Sequence, residues 1–311
     1  MRIEFPLKGP RGEPVDLWRI FVSHGVADLP PMRVDEASRS FEVTLRVNGA
    51  APRTARISAG RPGHGVIHIL GRPMGPQRSS TVVATVRRML RLDEDLSEFY
   101  AVISSDPQLA WASRGAGRMI RSPTVFEEVV KTICTTNCAW SATRRMVSAL
   151  VEHLGEKAPG APPSGWAGRA FPTAEAMAKA GNRFYHRVAR AGYRGAYLRS
   201  LARSVADGKV DLEVLDRAGP DEISDEEVEA RLLALPGVGP YAAAHVMLML
   251  GRYSRLILDS WTRPKYARLL RRRAISDAAI ARRFKPYGRY AGLAFWLFLT
   301  RDWVEEPPGA P

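Results

Sequence analysis

Between residues 41 and 47 apolar and polar side chains alternate: Phe41, Val43, Leu45 and Val47 are interleaved with Glu42, Thr44 and Arg46. A period of two sends one set to each face of an extended chain, so this stretch reads as a half-buried antiparallel strand. A second apolar run, Val66 to Leu70, is bounded by Gly65 and Gly71, and Arg61-Pro62-Gly63-His64-Gly65 supplies a turn before it. Residues 1 to about 86 therefore read as strands of a small antiparallel sheet, with the period changing to that of helices from about Ser80. There Val82, Val83, Val86, Met89 and Leu90 share one face while Arg87, Arg88 and Arg91 fall elsewhere. Another helix opens at Ser122-Pro123-Thr124. Either Ser122 caps it with proline at the first position, or Thr124 and Glu127 form a capping box, and its core face is Phe126, Val129, Val130 and Ile133. Residues 156–172 are a Pro/Gly-rich surface connection, and no internal repeat is present.

A chain of 311 residues exceeds what one core usually organises, and 45% hydrophobic content is ordinary for a globular protein, so two or three packed units are expected. Charge narrows the partners. Lys and Arg outnumber Asp and Glu by 46 to 32, a net +14, which suits a phosphate-rich partner, although basic composition alone also occurs in proteins that bind no nucleic acid. The two cysteines, Cys134 and Cys138, read as neighbours on one helix; they are too few for a disulfide framework, and small core residues are the expected role. The opening MRIEFPLKGP has no apolar signal region and no stretch reaches about 18 uninterrupted apolar residues, so a reduced, membrane-free, cytoplasmic protein is expected.

The most informative segment is Leu235-Pro236-Gly237-Val238-Gly239-Pro240-Tyr241-Ala242-Ala243. A helix ending in leucine, a glycine-spaced hairpin and a new helix with Pro240 at its first position make a tight helix-turn-helix. The glycines permit positive φ and leave no side chain between backbone and ligand. The N–H groups of Gly237, Gly239 and the following helix start then form a nest for an anion, and a DNA phosphate is the anion a basic chain implies. The second helix is expected to bury Ala243, Val246, Met247 and Leu250 and to stop at Gly251.

LPGVGPYAA, followed by LILDSWTR with Asp259, resembles the helix-hairpin-helix/GPD DNA glycosylases, and in particular their 8-oxoguanine and 3-methyladenine branches. The likeness extends to Leu92-Asp93-Glu94-Asp95-Leu96 with Phe99-Tyr100, to Ile133 through Asn137, and to Gly192-Tyr193-Arg194 ahead of a basic helix. It implies an α+β fold, mainly helical, with an N-terminal antiparallel sheet domain over residues 1–90. A helical core over 91–311 follows, in two subdomains with the cleft between them. Bifunctional members carry a lysine where this chain has Tyr241, eighteen residues before Asp259. A phenol forms no Schiff base, so the resemblance implies direct attack by water without lyase activity. It also implies double-stranded DNA with a damaged base as partner, action as a monomer, association with the nucleoid in a bacterium, and no catalytic metal. No iron–sulfur cluster is implied, since that needs four cysteines, and a monovalent cation at the hairpin is the one ion it allows.

Roles follow residue by residue. Breaking a glycosidic bond builds positive charge on the sugar, so a nearby carboxylate stabilises it and orients or deprotonates water. Asp259 is expected to do this, against the plainer alternative of a cap for the helix beginning near Ser260. Leu235, Gly237, Val238, Gly239 and Arg263 are expected to hold DNA, Tyr193 and Arg194 to fill the gap left by an extruded base, and Asn137 to read its orphaned partner. Tyr241, Trp261, Trp140, Phe295 and Trp296 are expected to form the base pocket, with the core as the alternative for each aromatic, above all Phe295 and Trp296. Arg144-Arg145, Arg187 to Arg203 and Arg268 to Arg273 are expected to contact phosphates, or else to be solvated helix faces. The 8-oxoguanine branch reads its base with a glutamine and a phenylalanine on the last helix, where this chain has Phe295 and Leu299. A pocket without that polar reader suits cationic alkylated purines. The alternatives are 8-oxoguanine or a deaminated base as substrate, or a catalytically silent protein that binds DNA structure.

Overall fold

The computed structural model describes residues 1–304. Five strands, β1 (Arg2–Pro6), β2 (Met32–Asp35), β3 (Ser40–Val47), β4 (Ala50–Ala59) and β5 (His64–Ile69), form an antiparallel sheet in the order β1-β5-β4-β3-β2. The alternation on β3 sends Phe41, Val43, Leu45 and Val47 inward as expected. Thr44, expected at the surface, is also buried, its hydroxyl paired with that of Thr54 at 2.9 Å.

The amino-terminal region is not made of strands alone. Asp16 accepts a hydrogen bond from the Arg19 N–H and starts α1 (Leu17–Phe21), whose Leu17, Ile20 and Phe21 lie at helical spacing against the sheet, with Phe21 stacked on Phe41. A five-residue helix is too short for its periodicity to stand out from the flanking strand pattern. The next helix, α2 (Pro76–Met89), begins earlier than Ser80, because Pro76 occupies its first position after Gly75. Val82, Val86 and Met89 pack into the same cluster as the sheet, and Val83 lies at its margin.

After α3 (Ser97–Ile103) the chain enters α4 (Val125–Thr135), capped by Thr124, whose hydroxyl accepts from the Glu127 N–H at 3.2 Å. The next two free N–H groups of α4, on Val125 and Phe126, donate to the Glu213 carboxylate, each at 3.1 Å. Helix α4 ends at Thr135 and Asn137 is left-handed, with φ 46°, so Cys134 and Cys138 do not share a helix. Then come α5 (Trp140–Leu154), α6 (Ala174–Lys179), α7 (Arg194–Ala206), α8 (Val214–Arg217), α9 (Asp225–Leu233), α10 (Pro240–Met249), α11 (Thr262–Leu269), α12 (Asp277–Phe284) and α13 (Ala291–Thr300).

Helix α10 is the shared wall of two helical clusters. Ala243, Val246 and Met247 pack with α4, α5, α7 and α9, while Ala244, Leu248 and Met249 pack with α3 and α13. A helix buried on both sides must be apolar all round, and α10 is, apart from His245. Among the described residues no helix is long and apolar enough to cross a membrane.

Between α9 and α10 the hairpin turns through Gly237, at φ 80°, whereas Gly239 is extended in φ and needs no left-handed freedom. A Cβ at Gly237 would also come 2.7 Å from the Tyr197 ring. The substitution Gly237→Ala is therefore expected to destabilise the protein by about 1–3 kcal/mol in urea unfolding; an unchanged midpoint would show that the turn tolerates a side chain.

His24 joins the sheet region to the helices. Its Nε2 donates to the Ile120 carbonyl at 2.6 Å, and its ring stands edge-on to His245 with 5.9 Å between centroids. Burial, followed by His245, pushes its pKa from 6.5 to about 4. The folded protein thus holds His24 uncharged while the unfolded chain protonates it near pH 6.5. The stability it contributes is complete above pH 6.5 and is lost as pH falls towards 4, on the order of 3 kcal/mol. Urea unfolding of His24→Gln should depend on pH less steeply than that of the wild type over this window; equal slopes would remove His24 from the acid response.

Candidate functional site

The hairpin, the end of α4, the start of α7 and the loop after α10 converge on a cleft of about 560 Å³. Its lining includes Thr135, Asn137, Tyr193, Tyr197, Gly237, Gly239, Tyr241, Asp259 and Arg263. Tyr241 stands at the seam of the two helical clusters and packs against both.

The loop that carries Asp259 is fixed at several points. Arg252 donates to the carbonyls of Ala218 and Ile223, each at 2.8 Å, and Ser254 Oγ donates to Asp225 on α9. Arg255 pairs with Glu226 and Glu229 of the same helix. On the other side the Gly292 N–H donates to the Tyr253 carbonyl at 2.7 Å, and a Cβ at 292 would lie 2.1 Å from the Arg255 carbonyl oxygen. Only glycine lets α13 and the loop approach so closely.

Asp259 itself is half-buried. Its Oδ1 accepts from the N–H groups of Trp261 and Thr262, at 2.8 and 2.6 Å, and its own N–H donates to Thr262 Oγ1 at 2.8 Å. The capping role weighed as an alternative is therefore present, and it coexists with a place in the cleft wall. Both main-chain donors go to Oδ1, and among the described residues no donor is assigned to Oδ2. Capping thus fixes the carboxylate and leaves an oxygen with acceptor capacity.

Opposite, the Tyr241 hydroxyl lies 3.2 Å from Thr135 Oγ1. Burial raises the phenol's pKa and the Asp259 charge adds to that rise, against the Thr135 hydrogen bond, so Tyr241 is a neutral hydroxyl. Tyr193 is exposed beside Tyr197, with ring centroids 5.9 Å apart at 77°, and its hydroxyl accepts from Asn137 Nδ2 at 3.4 Å.

Several expected site residues lie elsewhere. Arg194 is no exposed gap-filler: it is buried, its guanidinium donating to the carbonyls of Thr136 and Asn137 and lying 4.5 Å from the Tyr193 ring centre. It thereby holds the turn that presents Asn137. Leu235 and Val238 are buried in the cluster behind the hairpin, so side-chain contact with DNA is replaced by support of the turn. Phe295 is fully buried against Tyr266 and Phe284, which removes it from the base pocket. Trp296 donates from Nε1 to the Ser23 carbonyl at 2.7 Å and packs on Trp261, which also meets Trp303. Trp140 is exposed and lies against Gly25. None of Trp140, Trp261 and Trp296 lines the cleft.

Tyr197 was not singled out from the sequence, yet its spacing of four from Tyr193 puts the two rings on one face of α7 and was the available signal. Arg263 lines the cleft while paired with Asp277 at 2.7 and 2.8 Å. Arg145, Arg187 and Arg268 are exposed, and among the described residues no group of three or more His, Cys, Asp or Glu side chains could hold a metal ion.

No family model matches the chain. A DNA-3-methyladenine glycosylase of Bacillus subtilis (strain 168) is 22% identical over 187 residues, which is 58% of this chain and 58% of that protein's length. Among solved structures, the 3-methyladenine DNA glycosylase from Archaeoglobus fulgidus superposes with a TM-score of 0.72 at 20% identity, covering 97% of this chain and 99% of the other. The 8-oxoguanine glycosylase/lyase of Clostridium acetobutylicum in its apo-form gives 0.69 at 20%, covering 92% of each. With a sheet, two helical clusters and a glycine hairpin arranged in this way, the chain has the fold of the helix-hairpin-helix/GPD DNA glycosylases.

Proposed function

We propose that this protein is a monofunctional DNA glycosylase of base excision repair, which extrudes a damaged base from double-stranded DNA and hydrolyses its bond to the sugar. The observation that carries the reading is the shared cleft. One fixed carboxylate, Asp259, stands in the same wall system as the hairpin glycines, Asn137 and Tyr193. The similarity to DNA glycosylases supports the coarser part of this reading, a glycosylase acting on DNA, as does the structure of the Clostridium acetobutylicum 8-oxoguanine glycosylase/lyase in complex with dsDNA containing cytosine opposite to 8-oxoG.

In this reading the hairpin backbone holds the phosphate chain, and exposed arginines such as Arg145, Arg187 and Arg268 add sequence-independent attraction. Extruding the base costs a few kcal/mol, and Tyr193 with Tyr197 behind it offsets this by filling the vacated stack while Asn137 meets the orphaned partner. As the bond from C1′ to the base nitrogen breaks, its electron pair leaves with the base and positive charge builds on the sugar. Asp259 stabilises that charge, a water oxygen bonds to C1′, and the proton it gives up passes to the carboxylate. A monovalent cation at the hairpin would be held by main-chain carbonyls of the turn.

The substrate we assign is an alkylated purine. Such a base is electron-deficient, already holds a weakened glycosidic bond, and suits a wall of tyrosine rings and a carboxylate better than a pocket with a dedicated polar reader. The enzyme would act as a monomer in the cytoplasm.

Asp259→Asn should lower single-turnover excision from methylated duplex DNA by about 10²–10⁴-fold while leaving DNA affinity nearly unchanged; equal rates would take Asp259 out of the mechanism. Since Tyr241 offers no amine at the lysine position, borohydride should trap no covalent adduct with damaged DNA. A trapped complex formed in high yield would replace hydrolysis with a lyase mechanism.

A further inference from the structure

Tyr197 touches two parts of the cleft that have different tasks. It lies in the first turn of α7, four residues after Tyr193, so the two rings stand on one face of the helix about 6 Å apart along its axis. They meet edge to face, with centroids 5.9 Å apart and planes at 77°. The Tyr197 side chain also lies on the hairpin: a Cβ at Gly237 would come 2.7, 3.0 and 3.1 Å from its Cδ2, Cγ and Cβ. The ring therefore rests directly on the backbone of the turn, an approach that glycine permits.

The remaining restraints on Tyr193 come from the turn after α4. The Arg194 guanidinium, 4.5 Å from the ring centre, is engaged by the carbonyls of Thr136 and Asn137, and the Tyr193 hydroxyl accepts from Asn137 Nδ2 at a long 3.4 Å. These contacts set the ring against the turn that carries Asn137, and none of them reaches the hairpin. Tyr193 is 53% exposed, so its ring changes rotamer readily unless a neighbour stops it. Tyr197 supplies that neighbour from the hairpin side. Among the described residues its hydroxyl has no hydrogen-bond partner, so the ring makes both contacts.

We infer that Tyr197 is a positioning residue, which holds the gap-filling ring of Tyr193 at a fixed distance from the phosphate gripped by the hairpin. The inference rests on the glycosylase reading and deepens it. An extruded base leaves a gap at a set place between its flanking phosphates, and a ring fills that gap well only when it enters in register with the phosphate already held. The hairpin backbone grips any duplex, because phosphates carry no sequence information. Tyr197 turns that grip into a placement of Tyr193, so its contribution belongs to DNA with a gap and is absent from binding to an intact duplex. An edge-to-face aromatic pair contributes a factor of roughly two to ten beyond its buried area.

The test measures affinity for two duplexes of one sequence, one intact and one carrying a tetrahydrofuran abasic-site analogue. Their ratio reports gap filling whichever base the enzyme excises. Tyr197→Ala should lower the preference for the abasic duplex by about two- to tenfold while hardly changing affinity for the intact one. Tyr197→Phe, which keeps the ring, should retain the preference. Tyr197→Leu, which covers Gly237 but offers Tyr193 no ring, serves if Tyr197→Ala does not fold. Because Tyr197 acts through Tyr193, Tyr193→Ala and the double variant Tyr193→Ala/Tyr197→Ala should show the same preference. A wild type without preference, an unchanged preference in the folded variant, an equal loss on both duplexes, or losses that multiply in the double variant each overturn the inference. Release of bases from dimethyl-sulfate-treated duplex DNA by the wild type checks the glycosylase reading separately: with bases released, any of those results overturns the inference alone, whereas no release overturns that reading.

Discussion

The burial of α10 between two hydrophobic clusters is the constraint on which the site depends. A helix apolar on every side can be accommodated only where two cores meet, and its amino-terminus then emerges along the seam between them. Pro240 starts the helix there and the hairpin precedes it, so Gly237, Gly239 and Tyr241 arrive at the cleft as a consequence of core packing. At the other end Arg91, itself paired with Glu94 at 2.6 Å, donates to the Met249 carbonyl, which ties the carboxyl end of α10 to the linker after the sheet.

Asp259 gains its position from the same packing. The loop leaving α10 is clasped by α9 through Arg252, Ser254 and Arg255, and lies directly on α13 at Gly292. At its end the carboxylate caps α11, and this common structural role makes it useful: two N–H donors fix one oxygen and leave the other available. Across the cleft Arg194 does equivalent work on the backbone. Its buried guanidinium satisfies two carbonyls of a turn that cannot continue α4, and so holds Asn137 in a left-handed conformation beside Tyr193.

Charge is distributed with a similar economy. Exposed arginines such as Arg145, Arg187 and Arg268 face solvent, whereas the interior holds the ion pair Lys131–Glu127 and two imidazoles that burial keeps uncharged.

The amino-acid sequence by itself determined the elements whose signals are local. Alternation on β3, the periodic faces of α2 and α4, the Thr124 cap, the glycine hairpin and the eighteen-residue step from Tyr241 to Asp259 all depend on neighbours along the chain. Helix α1 was hidden because five residues carry too little period. Only the tertiary structure decided which aromatics face the cleft, since Phe295, Trp296 and Tyr197 are chemically similar and differ in whether α13 or α7 turns them inward. It also decided that Arg194 is a buried support and that His24 and His245 meet, because these contacts join residues 57 or more positions apart and no local pattern records them. A single chain states its periods and caps openly; which side chain lies opposite which is set by the packing of cores against one another.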